Sequence, residues 1–307
     1  MEDKSVRAWS RTARDIGKEI VAAFFSDRPF QLAAALGYYT LLSIAPLLLL
    51  LIGVAGLVFS EEAARGQLVQ YIGHVMGRAQ AEAVQAMLAH SGRNSAGVLS
   101  TIIGTGILIF GATTVFAQLQ TALNQIWNVE VIPRRGVILN LVRTRLFSLG
   151  IVMAMAFILL VSMVLSTLLA SFHQYVASLF PGAATMLRLL YALVSFGVVA
   201  TVIALVFKFV PDVIIRWRDV WVGAIITSAL FTVGKYLIGV YLQNSRFSSG
   251  YGAAGSIILV VAWVYYTSLI LFLGAEVTQI YARRFGTRIR PSAHARFIRE
   301  GTDDERR

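Results

Sequence analysis

The stretch SIILVVAWVYYTSLILFLGAEVTQIYARR, residues 256 to 284, decides the architecture. No Asp, Glu, Lys or Arg interrupts the chain from Phe247 to Ala275; a single carboxyl, Glu276, then precedes the Arg283-Arg284 pair. About 20 apolar residues in a helix cross a hydrocarbon layer of about 30 Å, and arginines just beyond such a run hold its end at the headgroups. Three more runs lack those four residue types: Pro29 to Ser60, Asn94 to Val129 and Leu146 to Leu187. Together with two shorter apolar segments they give six expected spans, near 30–59, 97–118, 146–171, 189–207, 220–242 and 255–281. The composition agrees, with 57% hydrophobic and 14% charged residues and a mean hydropathy of +0.71, outside the range of soluble domains.

A net charge of +11 suggests nucleic acid when it belongs to a soluble domain. Here its distribution follows the membrane instead. Lys4, Arg7, Arg11, Arg14, Lys18 and Arg28 precede the first span; Arg134, Arg135, Arg143 and Arg145 follow the second; Lys208, Arg216 and Arg218 follow the fourth. The sixth is followed by Arg283, Arg284, Arg288, Arg290, Arg296, Arg299, Arg306 and Arg307. The alternate segments carry only Arg65, Arg78, Arg93, Arg188 and Arg246. The positive-inside rule therefore places both termini in the cytoplasm. Three parts result: a cytoplasmic amphipathic helix over 1–28, a six-helix transmembrane domain over 29–285, and a basic cytoplasmic tail over 286–307. The expected fold is all-α and polytopic.

The absence of cysteine excludes disulfides and thiolate metal sites, and the charged opening has no cleavable signal-peptide pattern. In that opening Arg7, Arg11, Arg14 and Lys18 form one stripe, with Trp9, Ala13, Ile16, Ile20 and Phe24 opposite. Such a helix either lies on anionic headgroups of the inner leaflet or packs on the cytoplasmic ends of the spans. Pro46 lies inside the first span and removes a backbone donor there, marking a kink or hinge. Residues 61–95 read as a helical hairpin on the outer face, carrying His74 and His90 without a carboxylate cluster around them. The polar-studded continuation TALNQIW puts Asn124 and Trp127 near the inner interface. After the fifth span, RFSSGYGAAGS, with Gly250, Gly252 and Gly255, is either a plain turn or a segment dipping back into a polar cavity.

Two ionisable groups are stranded at membrane depth. In ALFTVGKYLIGVYLQ, residues 229–243, Lys235 is the one charge. It lies about 10 Å inside the outer end of its helix, so its stem can snorkel to headgroups as well as serve a polar path. Glu276 lies a similar distance above the inner face, either as a structural acceptor or as part of that path. The two differ in depth by roughly 10 Å and read as separate polar stations. Tyr38, Tyr39, Thr40, Ser43, Thr232, Tyr251 and Tyr266 are candidate linings.

The segments AAALGYYTLLSIAPLLLLL, TALNQIW and YGAAGSIILVVAWVYYTSLILFLGAEVT resemble, in order and spacing, the YihY/BrkB family of bacterial inner-membrane proteins over roughly residues 20–285. The resemblance implies a six-helix membrane protein of a family treated as transporter or exporter candidates, with links suggested to serum resistance and envelope lipid export. Members have also carried the label of a tRNA-processing ribonuclease. Metal-dependent phosphodiester hydrolysis needs convergent His, Asp or Glu ligands, whereas His74, His90, His173 and His294 are scattered along this chain. The family pattern also places an acid three positions before the lysine of the fifth span. Here that position is Thr232, which removes an acid–base pair within that helix.

The expected function is transport or flippase-like export of an amphipathic envelope substrate, in the bacterial inner membrane. No catalytic, cofactor or metal site is expected. The alternative is a non-transporting membrane scaffold that binds anionic lipid or protein partners. Nucleic acid is not an expected partner, and an oligomer stays open.

Overall fold

The computed structural model describes residues 2–55, 60–76, 81, 82, 84, 85, 98–132, 150, 184–244, 253–286, 289–292 and 294–298. Apart from residue 150, the expected third span over 146–171 lies outside the described residues, as do Gly250, Tyr251 and Gly252. The helices are α1 (Glu2–Ser26), α2 (Pro29–Ala55), α3 (Glu61–Met76), α4 (Val98–Ile126), α5 (Ala184–Phe209), α6 (Trp217–Asn244) and α7 (Ala253–Arg284). Among the described residues, α5, α6 and α7 each contain a stretch long and apolar enough to cross a membrane: Ala192–Phe209, Trp217–Ile238 and Ile257–Arg284.

Helices form in these runs because an apolar medium offers the backbone no other hydrogen-bond partners. Helix α4 extends past the expected end of its span, through TALNQI, since Ala, Leu and Gln favour helix and no Gly or Pro interrupts them. It ends at Asn128, which takes a left-handed backbone with φ of 54°. Asparagine tolerates this conformation, common just beyond a helix end, better than most residues. Position 46 sits within continuous α2, and Gly255 within the first turn of α7. Only Asp27 and Arg28 separate α1 from α2. Arg28 is also left-handed, with φ of 52°, and Pro29 starts α2 at the position where a missing N–H is harmless.

Helix α2 packs against α4 and α7, α7 against α6, and α6 against α5, with α1 on the end of α7 and α3 on α2. One core cluster joins Leu36 of α2, Leu123, Ile126 and Trp127 around the end of α4, Phe207 of α5, Ala224 of α6 and Phe272 of α7. A second, toward the other end, joins Ile44, Leu48 and Ile52 of α2 with Leu68 and Ile72 of α3, Val84, and Val260 of α7. The first arm of the expected hairpin thus lies against α2. Ser60 caps it, accepting the Ala63 N–H at 3.3 Å.

The all-α expectation needs one amendment. Residues 289–298, expected as part of a basic tail, supply two short strands to the loops at one end of the bundle. β1 (Val129–Val131) pairs antiparallel with β4 (Ala295–Phe297), and β2 (Val213–Ile214) with β3 (Arg290–Pro291). Strands of two or three residues are too short to leave an alternating pattern in sequence.

Helices α6 and α7 meet through a reciprocal contact. The segments GAIIT, residues 223–227, and GAEVT, residues 274–278, run antiparallel, so each glycine receives the other helix's threonine. A Cβ on Gly223 would lie 1.7 Å from Thr278 Oγ1, and one on Gly274 would lie 1.8 Å from Thr227 Oγ1. Each threonine hydroxyl donates to the carbonyl of the glycine four residues before it, at 2.7 Å. Small residues let the backbones approach, and the hydroxyls are satisfied without crossing to a partner. Gly223→Ala or Gly274→Ala is expected to destabilise the protein by about 1–3 kcal/mol through overpacking. Gly197→Ala, with nothing within 4 Å of its added Cβ, should leave stability near wild type. Thermal unfolding in detergent reads the difference, and Thr278→Gly should restore the Gly223→Ala variant.

Candidate functional site

Glu276 projects from α7 into the packed end of the bundle and is 1% exposed. Among the described residues no backbone or side-chain N–H or O–H reaches either of its carboxyl oxygens. The carboxyl of Asp27, in the α1–α2 turn, lies close enough to influence it. Burial raises the Asp27 carboxyl above the ordinary aspartate value, and the neighbouring Glu276 offsets part of that rise.

Local structure fixes this meeting. The tight α1–α2 turn presents Asp27, whose backbone carbonyl accepts Gln125 Nε2 of α4 at 3.0 Å. Gln279, one turn beyond Glu276, donates Nε2 to the Ile126 carbonyl at 2.7 Å. Helix α1 is tied to α7 a second time by the Arg284–Glu19 ion pair. Asp27 escapes sequence reasoning because it precedes the first charge-free run and looks like an ordinary loop acid.

Lys235 is elsewhere. The threonine–glycine contacts set Glu276 level with residue 225 of α6, ten positions from Lys235, or about 15 Å along the helix. Lys235 is exposed, on a face with Val233, Tyr236 and Leu237. That face continues through Ile225, Ile226 and Leu230, a wide apolar surface of the kind that soluble proteins seldom leave uncovered. The two charges do not form an ion pair. Thr232 is exposed on the same helix, its hydroxyl donating to the Ser228 carbonyl at 2.8 Å. Tyr266 places its hydroxyl against Gly234. On α2, Ser43 is buried, Tyr39 and Thr40 are half-buried, and Tyr38 is exposed with its ring edge-on to Tyr39 at 5.6 Å. The candidate linings are therefore spread over several faces.

A second polar cluster, unforeseen from sequence, centres on Asp212, 7% exposed in the loop after α5. Its Oδ2 accepts Asn124 Nδ2 at 2.8 Å and Gln120 Nε2 at 3.1 Å, and its Oδ1 lies 2.9 Å from His294 Nε2. Its N–H donates to Asn124 Oδ1 at 2.8 Å, and its carbonyl accepts the Ser292 N–H at 3.0 Å. Asn124 thus serves as a clamp between α4 and the loop. Trp127, expected as an interfacial ring, is instead 1% exposed in the core. Lys208 donates to the Ile215 carbonyl and lies over the Trp217 ring, 5.7 Å from its centroid.

The Asp212 cluster fastens residues 289–298 to the bundle. Hydrogen bonds to a buried charge are worth about 1.5–3 kcal/mol each. Asp212→Ala is therefore expected to release that segment and speed tryptic cleavage after Arg296 by about tenfold or more. Mass spectrometry of limited digests gives the cleavage rates.

A family model described as Virulence factor BrkB matches residues 20–299. A UPF0761 membrane protein of Stenotrophomonas maltophilia (strain K279a) is 27% identical over 287 residues, covering 91% of this chain and 65% of that protein. UPF0761 membrane proteins of Delftia acidovorans (26% over 176 residues, 57% of this chain and 40% of theirs) and Pseudomonas aeruginosa strain LESB58 (27% over 253 residues, 82% and 59%) also match. The chain thus spans less than two thirds of the length of these relatives. No solved structure matches it. The family match over most of the chain, joined to the apolar helices and the uncovered apolar face, makes this protein a membrane protein of the BrkB family.

Proposed function

We propose that the protein is a six-span inner-membrane transporter with flippase-like action on an amphipathic envelope substrate, its headgroup moving along polar groups while its tail stays in lipid. The observation that carries this reading is Glu276, a carboxyl fully buried on a helix fit to cross a membrane, with no protein N–H or O–H donor among the described residues. A charge at bilayer depth costs roughly 2.5–3.5 kcal/mol on insertion scales. A carboxyl whose only purpose was structural would gain by taking hydrogen bonds, as Asp212 does; Glu276 takes none from an N–H. Lys235 offers a cationic station on the apolar face, placed to meet an anionic headgroup.

The topology has independent support. The end of α4, the end of α5, the start of α6, the end of α7 and the α1–α2 turn all gather at one end of the bundle, joined by the paired strands and by Asp212. A crossing near 146–171, as expected from the sequence, would fit this arrangement. Six crossings would be consistent with it. Arg28, Lys208, Arg216, Arg218, Arg283 and Arg284 lie near this end, and their charge supports a cytoplasmic assignment.

The test is lipid scrambling or flux in proteoliposomes containing anionic lipid. Glu276→Gln is expected to slow the rate by roughly tenfold, equivalent to about 1.4 kcal/mol in the barrier. Lys235→Met should slow anionic substrates more than zwitterionic ones. Wild type that moves no lipid or amphiphile above empty vesicles would overturn the reading in favour of a scaffold; equal rates in all three proteins would take both residues out of the path.

A further inference from the structure

We propose that the turn between α5 and α6, together with the strand that follows α7, forms a binding site for an anionic phospholipid at that end of the bundle, its phosphate held by basic side chains and its acyl chains lying along α6. The proposal rests on residence in a membrane and not on transport, since a lipid seated here need not cross.

Four cations gather here from two separate parts of the chain. Lys208 lies in the last turn of α5, Arg216 in the two-residue link between β2 and α6, and Arg218 in the first turn of α6. Arg290 is brought in by β3, where strand pairing sets it opposite Ile214 of β2. Lys208 is held in place by the Ile215 carbonyl and the Trp217 ring, which leaves two of its three donors for a ligand. Arg216, Arg218 and Arg290 are exposed. Among the described residues no ion pair engages any of the four. The acids of this stretch are turned away: Asp212 is held by Asn124, Gln120 and His294, and Asp219, 4% exposed, lies against Gly286. The positive charge is left for a partner to answer.

Beside the charges lies an apolar surface that a free phosphate or a nucleic acid would leave unused. Phe209 and Trp217, 47% and 44% exposed, meet edge-on with ring centroids 5.9 Å apart. Trp221 and Ile225 follow Arg218 at i+3 and i+7, on one face of α6, and both are exposed. All lie within or beside Trp217–Ile238, a stretch fit to cross a membrane. The surface thus runs from headgroup level at Trp217 to Ile225, about 12 Å along the helix. Trp is favoured where headgroups meet hydrocarbon, and basic sites beside membrane-spanning helices at that level take anionic headgroups. The order along α6 is cations, then aromatic rings, then an aliphatic side chain, which matches a phospholipid read from phosphate to acyl chain. A seated lipid bridges the α5–α6 turn and β3, so it favours their assembled form.

The test is native mass spectrometry of the full chain in detergent, titrated with phosphatidylglycerol or with phosphatidylcholine of the same acyl chains. A basic side chain near anionic lipid strengthens binding by about fivefold, so wild type is expected to prefer the anionic lipid by about tenfold or more. The combined Arg216→Gln, Arg218→Gln and Arg290→Gln variant should lose that preference. Arg14→Gln, Lys18→Gln and Arg283→Gln together remove equal charge from exposed positions elsewhere and should keep most of it. Excess glycerol phosphate should displace no lipid. A second measurement leaves the cations intact: in nanodiscs, phosphatidylglycerol with brominated acyl chains should quench tryptophan fluorescence more than brominated phosphatidylcholine at the same fraction. Trp217→Phe with Trp221→Phe should remove that surplus. Equal retention of the two lipids by wild type, equal losses in the two triple variants, displacement by glycerol phosphate, or the lack of a bromine surplus would each overturn the inference. Flux measurements do not enter, so failure of the transport reading would leave this result standing.

Discussion

A hydrocarbon layer cannot hydrogen-bond, and the rest of this structure depends on that single constraint. It forces the long apolar runs into helices whose backbone groups satisfy one another. It drives nearly every charged or strongly polar group to the bundle ends. Where polarity persists at depth, it must be answered locally: Thr227 and Thr278 turn their hydroxyls back on their own helices. Glu276 is a group to which, among the described residues, no protein donor responds.

The gathered polar end is built as a set of fastenings. Asp212 draws together α4, the loop after α5 and residue His294; the paired strands tie the segment after α7 to two loops; Gln125 and Gln279 each spend an amide on a backbone carbonyl of a neighbouring element. Toward the opposite end, α2, α3 and α7 share an apolar core cluster around Ile44, Leu48, Ile72 and Val260. Hydrogen bonds set direction and register in a way that apolar contact does not, so these fastenings fix how the loops sit on the helix ends.

Much of the helical framework was legible because it rests on the absence of charge over more than one helix length. Runs such as Pro29 to Ser60 and Phe247 to Ala275 announce themselves, and Glu276 stood out against its surroundings. What escaped notice was polar pairing across the chain. Asp212 lies 92 residues from Gln120 and 82 from His294, and nothing in either local stretch marks the other. Asp27 sits in a charged opening where one more acid carries no signal. Trp127 misled for a different reason: an aromatic ring beside a membrane edge is usually an anchor, and only packing shows that this one fills the core. The separation of Lys235 from Glu276 was readable in outline from helix rise, yet its size came from the threonine–glycine contacts.

Those contacts have a mechanical implication. Helices α6 and α7 touch at two glycines one turn apart, each blocked by a threonine from the facing helix. A hinge needs one pivot; two staggered pegs allow none. Sliding along the axis would drive a hydroxyl into backbone, and rolling would lift one peg while jamming the other. The two rods must therefore travel as a single beam, carrying Lys235 and Glu276 at a fixed spacing, and any rocking of the protein has to take place where other helices bear against that beam.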